Sequence, residues 1–250
     1  MIDEIISHDL VLINGALGTR LQYTYKFNLG KNLSIFDLIQ SCQGKNALAE
    51  IYKMDIEAAH EYSLPIIIYA PTFRASRAHL NLHNQQKDYI NYVNQLCTGF
   101  IKSIKDEYTN NLSSPVYFSA ALGSRNDAYD VDYNLTVEQA KDYHQEQINI
   151  LKKSEISLIH VATLSSVTEA LGIAYAAQEA HVEYTIGFIL DENGLLLDGN
   201  NLSDAIRKLD DQVEYKPAGY FITCTHASVV LKVISEHGDF DRIIGVQVNG

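Results

Sequence analysis

One stretch of the chain, Ile156-Ser157-Leu158-Ile159-His160-Val161-Ala162, has the length and the β-branched content of a buried strand. Four residues further on, Ser166-Val167-Thr168-Glu169 has the spacing of a capping box, in which a hydroxyl and a carboxylate close the first turn of a helix. An alanine-rich stretch follows at once. Together these segments predict a strand followed directly by a helix, which is the repeating unit of α/β proteins.

The same unit recurs on both sides of this stretch. Further strands are predicted at residues 10–13, 65–69, 115–120, 182–190, 219–224 and 242–248, and further helices at 46–62, 86–105, 136–153, 202–209 and 228–235. The helix at 136 also begins with a capping box, Thr136-Val137-Glu138-Gln139. No linker rich in Pro, Gly or Ser divides the chain, so we predict one domain over residues 1–250.

Strands and helices that alternate throughout predict an α/β fold with a parallel sheet. About seven strand–helix units are present, whereas a closed TIM-type (β/α)₈ barrel of about 250 residues has eight. A doubly wound open sheet accepts seven strands, but it usually has a Gly-rich phosphate loop after its first strand. Gly15-Ala16-Leu17-Gly18 matches that loop only in part. We therefore predict a (β/α)₈ barrel in an incomplete form, with about seven units.

The composition excludes several classes of partner. The net charge of -12 and the lack of a Lys/Arg cluster argue against nucleic acid. No apolar run is long enough to span a bilayer, and residues 1–9 lack the basic patch of a secretory signal, so we expect neither membrane insertion nor export. Cys42, Cys97 and Cys224 are odd in number and widely spaced, which is typical of a reducing cytoplasm rather than of a disulfide framework.

The active site of a (β/α)₈ barrel is built from residues that follow the C-terminal end of each strand. That rule selects the following residues, in strand order: Asn14, Gly15 and Thr19; Thr72, Phe73 and Arg74; Gly123, Ser124, Arg125 and Asp127; Ala162 and Thr163; Asp191; Cys224 and His226; Asn249.

Cys224 is the most specific feature among them. It ends an apolar strand between Thr223 and Thr225, where a thiolate could bind zinc or act as a nucleophile. An equally good interpretation is a buried cysteine that packs as a small apolar side chain. Cys42, in a predicted loop, and Cys97, in a predicted helix, are interpreted as structural.

Histidines and aspartates complete the candidates. His160 is expected inside the barrel, more often as a hydrogen-bonded polar residue than as a proton carrier. His226 is interpreted as a solvent-facing residue at a helix N-terminus, because one Cys-x-His pair is far from a four-ligand metal set. Surface positions are predicted for His79, His83 and His144. The remaining group, Asp127, Asp130 and Asp132, predicts a solvated, substrate-covering loop rather than a calcium site.

Five segments carry a common set of motifs in one order: residues 11–21 (Val-Leu-Ile-Asn-Gly-Ala-Leu-Gly-Thr-Arg-Leu), 70–76 (Ala-Pro-Thr-Phe-Arg-Ala-Ser), 196–202 (Leu-Leu-Asp-Gly-Asn-Asn-Leu), 222–225 (Ile-Thr-Cys-Thr) and 248–250 (Val-Asn-Gly). In order and in spacing they resemble the motifs of the homocysteine S-methyltransferase family. The resemblance runs from about Leu10 to the end of the chain.

The resemblance implies a (β/α)₈ barrel that transfers a methyl group to the sulfur of homocysteine or a related thiol. In that family three cysteines bind zinc and the substrate thiol completes the tetrahedron. The first of these corresponds to Cys224, whereas the family's Gly-Gly-Cys-Cys-Gly segment has no counterpart up to Gly250. The implied partners are a small-molecule thiol and a methyl donor such as an S-methyl sulfonium, a betaine or a methyl-folate. The resemblance implies substrate contacts at Asn14, Gly15, Thr72, Phe73, Ala162, Thr163 and Asn249.

Two positions depart from the family pattern. The family's aspartate after strand one is Asn14 here, and its glutamate after strand four is Ala162. In the family those carboxylates help to hold the amino group of the substrate. Three hypotheses therefore stay open: a zinc-dependent homocysteine methyltransferase, a methyltransferase for a thiol without an amino group, and a barrel without catalysis that serves in binding or assembly. A barrel that lacks one unit exposes two strand edges, so we also expect a homodimer or poor solubility.

Overall fold

The structure is a computed structural model that describes residues 2–30, 35–80, 87–109, 112, 114–154, 156, 158–237 and 241–249. The predictions made for His83, for a helix start at Gln86, for Ser157 within a strand and for Gly250 lie outside these residues. The chain divides into two compact units, Met1–Ala121 with Ile150–Leu158, and Leu122–Asn149 with Ile159–Gly250.

The first unit contains three strands and the helices between them. Its elements are α1 (Ile2–Ile6), β1 (Leu12–Ile13), α2 (Leu17–Tyr23), a 3-10 helix (Ile35–Gln40), α3 (Cys42–Glu61), β2 (Ile66–Ala70), α4 (Lys87–Tyr108) and β3 (Val116–Leu122). Ile66 of β2 pairs with Leu12 on one side and with Val116 on the other, and both pairings are parallel. All five residues of β2 are buried, as a strand covered on both faces requires.

The second unit continues the alternation. Its elements are α5 (Val137–Lys152), β4 (Leu158–Leu164), α6 (Val167–Ala180), β5 (Glu183–Phe188), α7 (Leu202–Gln212), β6 (Tyr220–His226), α8 (Ala227–His237) and β7 (Ile243–Asn249). The β5–β6 and β6–β7 pairings are both parallel. Unlike β2, β7 leaves the apolar side chains of Ile244, Val246 and Val248 exposed.

The order of the strands in the sheet follows the chain, from β1 to β7. Seven such strands with helices between them confirm the predicted α/β fold and are consistent with a (β/α)₈ barrel of about seven units. The first strand is shorter than the sequence predicts, since its ladder starts at Leu12 rather than at Leu10. Across the described residues, no helix combines the length and the apolar character needed to cross a membrane.

The core of the first unit forms where α3 and α4 cover β2. On α3 the buried residues Leu48, Ile51 and Tyr52 recur at helical spacing, and Tyr52 donates its hydroxyl to the backbone oxygen of Tyr69 at 2.6 Å. Cys97 of α4 is fully buried in this core, as the structural interpretation predicts. The loop placement of Cys42 is wrong, because Cys42 is the first residue of α3 and is exposed there.

Only one of the two predicted capping boxes forms completely. At the start of α5, Thr136 and Gln139 exchange hydrogen bonds, with Thr136 N donating to Gln139 Oε1 at 3.0 Å and Gln139 N donating to Thr136 Oγ1 at 3.2 Å. At the start of α6, Glu169 N donates to Ser166 Oγ at 3.3 Å, but the Glu169 carboxylate binds other groups. Asp198 completes that cap instead, by accepting from the backbone N–H of Val167 at 2.7 Å. Asp198 belongs to the Leu-Leu-Asp-Gly segment of residues 196–199, so this motif stabilises the start of α6.

Helices α5 and α6 approach closely at Gly172. A methyl group added there would meet the Ala140 side chain and would lie 2.7 Å from the backbone nitrogen of Lys141. Gly99, on the exposed face of α4, has nothing within 4 Å of the same position.

We expect Gly172→Ala to lower the free energy of unfolding by about 1–3 kcal/mol, because the two helices must separate to admit the methyl group. Gly99→Ala is the matched control and should be neutral or stabilising by up to about 1 kcal/mol, through helix propensity alone. Urea denaturation followed by circular dichroism measures both. Equal effects at the two positions would contradict the close approach of α5 and α6.

Candidate functional site

Cys224 occupies a β-bulge near the end of β6. Thr223 pairs with Gln247 of β7 and Thr225 pairs with Val248, so Cys224 is an extra residue opposite a continuous partner strand. Its φ is +50°, in the left-handed region that costs a non-glycine residue about 1–2 kcal/mol. Cys224 keeps this unfavourable conformation because neighbouring groups hold it in place.

The flanking threonines provide that structure. Thr223 Oγ1 accepts from the backbone N–H of Thr163, at the end of β4, at 3.2 Å. Thr225 Oγ1 accepts from the backbone N–H of Leu190, just after β5, at 2.9 Å and donates to Thr223 O at 3.0 Å. Both hydroxyls are buried, so they satisfy backbone groups that water does not reach. The ends of three strands are thereby fixed around the bulge.

The Cys224 side chain is half-buried. Burial raises the pKa of its thiol, so the free group is protonated at neutral pH. From β7, Asn249 donates its side-chain amide to the backbone oxygen of Cys224 at 2.8 Å. Neighbouring His226 is exposed and bonds Ser228 through Nδ1 at 2.7 Å, which agrees with the predicted position at the start of a helix.

The described residues do not by themselves supply a zinc site. Within them, no group of three or more His, Cys, Asp or Glu side chains is arranged to hold a metal ion. A catalytic zinc needs about three protein ligands, and Cys224 is one. The donor set in the described part of the chain therefore does not fit the implied metal.

Thr163 also has a left-handed backbone, with a φ of +58°. Its side chain is 7% exposed, and its Oγ1 has no hydrogen-bond partner within the described ranges. A buried hydroxyl without a partner is costly unless a ligand supplies one. Ala162 beside it is half-buried and carries no polar group.

Asn14, Gly15, Thr72 and Phe73 belong to the first unit. Asn14 is buried at the end of β1, and its Oδ1 accepts from the backbone N–H of Tyr69 at 2.8 Å. Thr72 is buried as well and donates its hydroxyl to the backbone oxygen of Ala121 at 2.7 Å.

The other two residues of this group are more accessible. Phe73 is half-buried, with its ring 4.7 Å from the guanidinium carbon of Arg74, and Gly15 is exposed. The side-chain oxygens of Asn14 and Thr72 thus form hydrogen bonds with backbone groups of Tyr69 and Ala121. Phe73 and Gly15 are accessible to solvent.

A buried pair, Glu169 and His144, was missed by the sequence analysis. Glu169 is 5% exposed, and its Oε1 accepts from the backbone N–H of Arg125 at 2.5 Å and from His144 Nε2 at 2.9 Å. His144 is 1% exposed, so its predicted surface position is wrong. The sequence spacing does indicate that His144 is buried. His144 follows Ala140 by four residues on the buried face of α5, and Ile148 lies four residues further on.

The segment of residues 123–136, which we name the Tyr129 loop, was predicted to be solvated. Asp127 and Asp130 are exposed, and Asp132 forms an ion pair with Arg125 at 3.2 Å. Tyr129 on this loop is not among the residues that the sequence predicts for the site, and its hydroxyl interacts with the Asn249 side chain. Partial burial, and then the nearby Cys224 sulfur, raise the pKa of Tyr129. Tyr129 therefore lies beside the Cys224 bulge.

His160 is an interior polar residue, in agreement with the favoured interpretation. Its Nδ1 lies 2.9 Å from Thr185 Oγ1, and its ring meets Phe221 edge to face at 4.8 Å. Burial lowers the pKa of His160 to about 4, so the imidazole is neutral at physiological pH.

The family model described as homocysteine S-methyltransferase matches residues 11–250. The chain belongs to this family. A comparison with curated protein sequences found no match.

Among solved structures, the chain is similar to three forms of the homocysteine methyltransferase MmuM from Escherichia coli. The metallated form matches with a TM-score of 0.73 and 16% identity, over 99% of this chain and 94% of that one. The oxidized form matches with a TM-score of 0.71 and 14% identity over 98% and 94%, and the apo form with 0.64 and 14% over 98% and 93%. At these identities the likeness shows the fold that homocysteine S-methyltransferases share with this chain.

We expect Glu169→Ala to lower the free energy of unfolding by about 2–4 kcal/mol, because it leaves two buried donors without an acceptor. Glu179→Ala on the same helix is the control, since that carboxylate is exposed and, among the described residues, pairs with Lys141 at 2.8 Å. The control should cost less than about 1 kcal/mol. Urea denaturation decides between them, and similar losses would mean that the buried network is not formed.

The neutral state of His160 predicts a pH dependence of stability. An unfolded histidine titrates near 6.5 and the folded His160 at about 4, so between these values only the unfolded chain binds the proton. Stability then falls as the pH drops from about 6.5 to 4, by up to about 3 kcal/mol from this residue. His160→Gln should show a shallower fall in urea denaturation across this range. Parallel curves for the two proteins would refute the shift.

Proposed function

We propose that this protein transfers a methyl group to the sulfur of a small-molecule thiol, homocysteine or a related compound. Family membership over residues 11–250 supports a thiol methyltransferase. The observation that carries the proposal within the chain is the bulge that holds the Cys224 thiol in a left-handed conformation at a strand end. The buried hydrogen bonds of Thr223 and Thr225 on either side hold the residue in that conformation.

Three residues near the bulge are suited to contact a thiol substrate. Thr163 offers a buried hydroxyl whose hydrogen-bonding capacity is not used by the described protein groups. Ala162 beside it carries no charge, and exposed Asn249 presents an amide that already bonds the Cys224 backbone. In the first unit, Phe73 and Gly15 are proposed as direct contacts. Asn14 and Thr72 are proposed to act mainly by holding the strand ends through their bonds to Tyr69 and Ala121.

Zinc is the metal that the family implies, and we propose Cys224 as one of its ligands. Described residues alone do not complete the site, so the proposal concerns this ligand and no chemical step is assigned to the metal. The three free cysteines are also in keeping with a reducing cytoplasm.

The loss of two of the family's carboxylates is the basis for the second part of the proposal. Asn14 and Ala162 stand where the family pattern has carboxylates, and the Asn14 oxygen is already occupied by the Tyr69 N–H. Burying an ammonium group without a counter-charge costs on the order of 2–4 kcal/mol. We therefore propose that thiols without an amino group are accepted at least as well as homocysteine.

The decisive experiment incubates the purified protein with homocysteine and with 3-mercaptopropionate, each with a sulfonium, a betaine or a methyl-folate donor. Mass spectrometry detects the S-methylated product. We expect product with at least one donor, and a kcat/KM for 3-mercaptopropionate equal to or above that for homocysteine. A protein that methylates no thiol from any donor would instead be a binding or assembly protein.

Cys224→Ser tests the assigned thiol. We expect the rate to fall at least about 100-fold, equivalent to about 2.7 kcal/mol of activation free energy. Cys42→Ser is the matched control, because that exposed cysteine lies at the start of α3, and it should leave the rate unchanged. Full activity of Cys224→Ser would reject the role.

A further inference from the structure

Strand β7 is hydrogen-bonded to a neighbouring strand along one edge. It pairs with β6 and stands last in the strand order, so its other edge has no partner strand among the described residues. The edge of a strand presents a row of backbone N–H and C=O groups that can pair with another chain. A further strand can therefore add to the sheet at the free edge of β7.

The residues of β7 do not protect this edge from association. Exposed edge strands usually carry a lysine or another charge, or a proline. The seven residues of β7, Ile-Ile-Gly-Val-Gln-Val-Asn, include neither, although the whole chain has a net charge of -12. One irregularity in the pairing with β6 lies near the start of the strand, at Ile244, and the strand then continues to Asn249. An uncharged edge of this kind favours pairing with another strand.

The exposed apolar side chains of β7 lie on one face of the strand. Ile244, Val246 and Val248 are all exposed, and they alternate with residues that point to the opposite face. Gly245 belongs to that opposite face, where an added side chain would meet the ring of Phe221 on β6. One face of β7 thus packs within the unit, whereas the other presents aliphatic side chains to solvent.

Helix α8 adds two more aliphatic side chains to the exposed surface. The helix packs against both β6 and β7, and its Val233 faces the loop after β5, where it would meet a side chain at Gly194. Leu231 and Ile234 lie on a different side of α8 from Val233 and are exposed. We name the set of Leu231, Ile234, Ile244, Val246 and Val248 the β7–α8 face.

The size of the β7–α8 face matches the needs of a stable interface. Its five side chains, which are 40–69% exposed, leave roughly 400 Å² of apolar surface in one copy, a size at which such patches are often functional. A standard protein interface covers about 800 Å² on each partner, and a little more than half of that area is apolar. The β7–α8 face therefore supplies most of the apolar area that one partner of a standard interface needs.

We propose that the β7–α8 face binds a second copy of this chain, with the two β7 strands paired antiparallel about a two-fold axis. In such a pair, facing residues lie at equal distances on either side of the axis, so each face of the strand meets the same face of its partner. Ile244, Val246 and Val248 then meet β-branched residues of the second copy, which favours cross-strand packing. The two free edges are satisfied at once. The inference concerns assembly and does not depend on the proposed methyl transfer.

Sedimentation equilibrium of the purified chain tests the proposal. We expect a reversible equilibrium between monomer and dimer. Val246→Lys brings two like charges together near the axis and should raise the dissociation constant at least about 100-fold. Leu231→Lys, at the margin of the face, should raise it about 3- to 30-fold. Met54→Lys is the matched control, because it makes the same change at an exposed apolar residue of α3 in the first unit, and it should leave the dimer unchanged.

Hydrogen exchange of the unaltered protein provides an independent readout. As the protein concentration is raised through the dissociation constant, the backbone amides of β7 should exchange more slowly, because the second copy covers them. The amides of β1, the first strand in the sheet order, serve as the internal control and should not change. Should Val246→Lys fail to fold by circular dichroism, this measurement and Leu231→Lys still decide the question.

Three outcomes overturn the inference. The first is a monomer at every concentration up to about 1 mM. The second is a dimer whose dissociation constant is the same in folded Val246→Lys as in the unaltered protein. The third is slower exchange in β1 as well as β7, with species larger than a dimer, which would mean that copies join head to tail rather than about a two-fold axis.

Discussion

Two buried hydroxyl groups, those of Thr223 and Thr225, determine the arrangement of the second unit's strand ends. Each accepts a backbone N–H from a neighbouring segment, Thr163 in one case and Leu190 in the other. A parallel ladder alone would leave these donors unsatisfied where the strands diverge, and a buried donor without an acceptor costs about 1–3 kcal/mol. The bulge at Cys224 lies between these two threonines, opposite Gln247 and Val248 of β7.

The Glu169 carboxylate connects other parts of the same unit. One of its two oxygens, Oε1, accepts hydrogen bonds from both the backbone N–H of Arg125 and the imidazole of His144 on α5. A buried carboxylate with two good donors is stable, whereas removal of either donor exposes its desolvation cost. The helix cap that Glu169 does not complete is supplied by Asp198 from the loop before α7. Glu169 and Asp198 thus fix the positions of backbone groups and of the His144 ring, in addition to carrying charge.

The sequence predicted what depends on local periodicity. Apolar runs such as 65–69 became strands, and the Thr136 capping box formed because both partners lie within one turn. Contacts between distant segments were not predictable in this way. Glu169 has the sequence signature of a cap, yet a donor 44 residues away takes its carboxylate. The burial of His144 could have been inferred from its spacing, but the position of Tyr129 beside Cys224 depends on how the loop folds back.

The left-handed backbone at residue 224 makes cysteine less stable at this position than glycine would be. Glycine adopts that conformation without the steric penalty that any β-carbon brings. A chain selected for folding alone would therefore gain by carrying glycine here, with a hydrogen atom in place of the whole cysteine side chain. Cysteine at this position therefore lowers stability slightly, at a residue that is proposed to serve the reaction as a metal ligand.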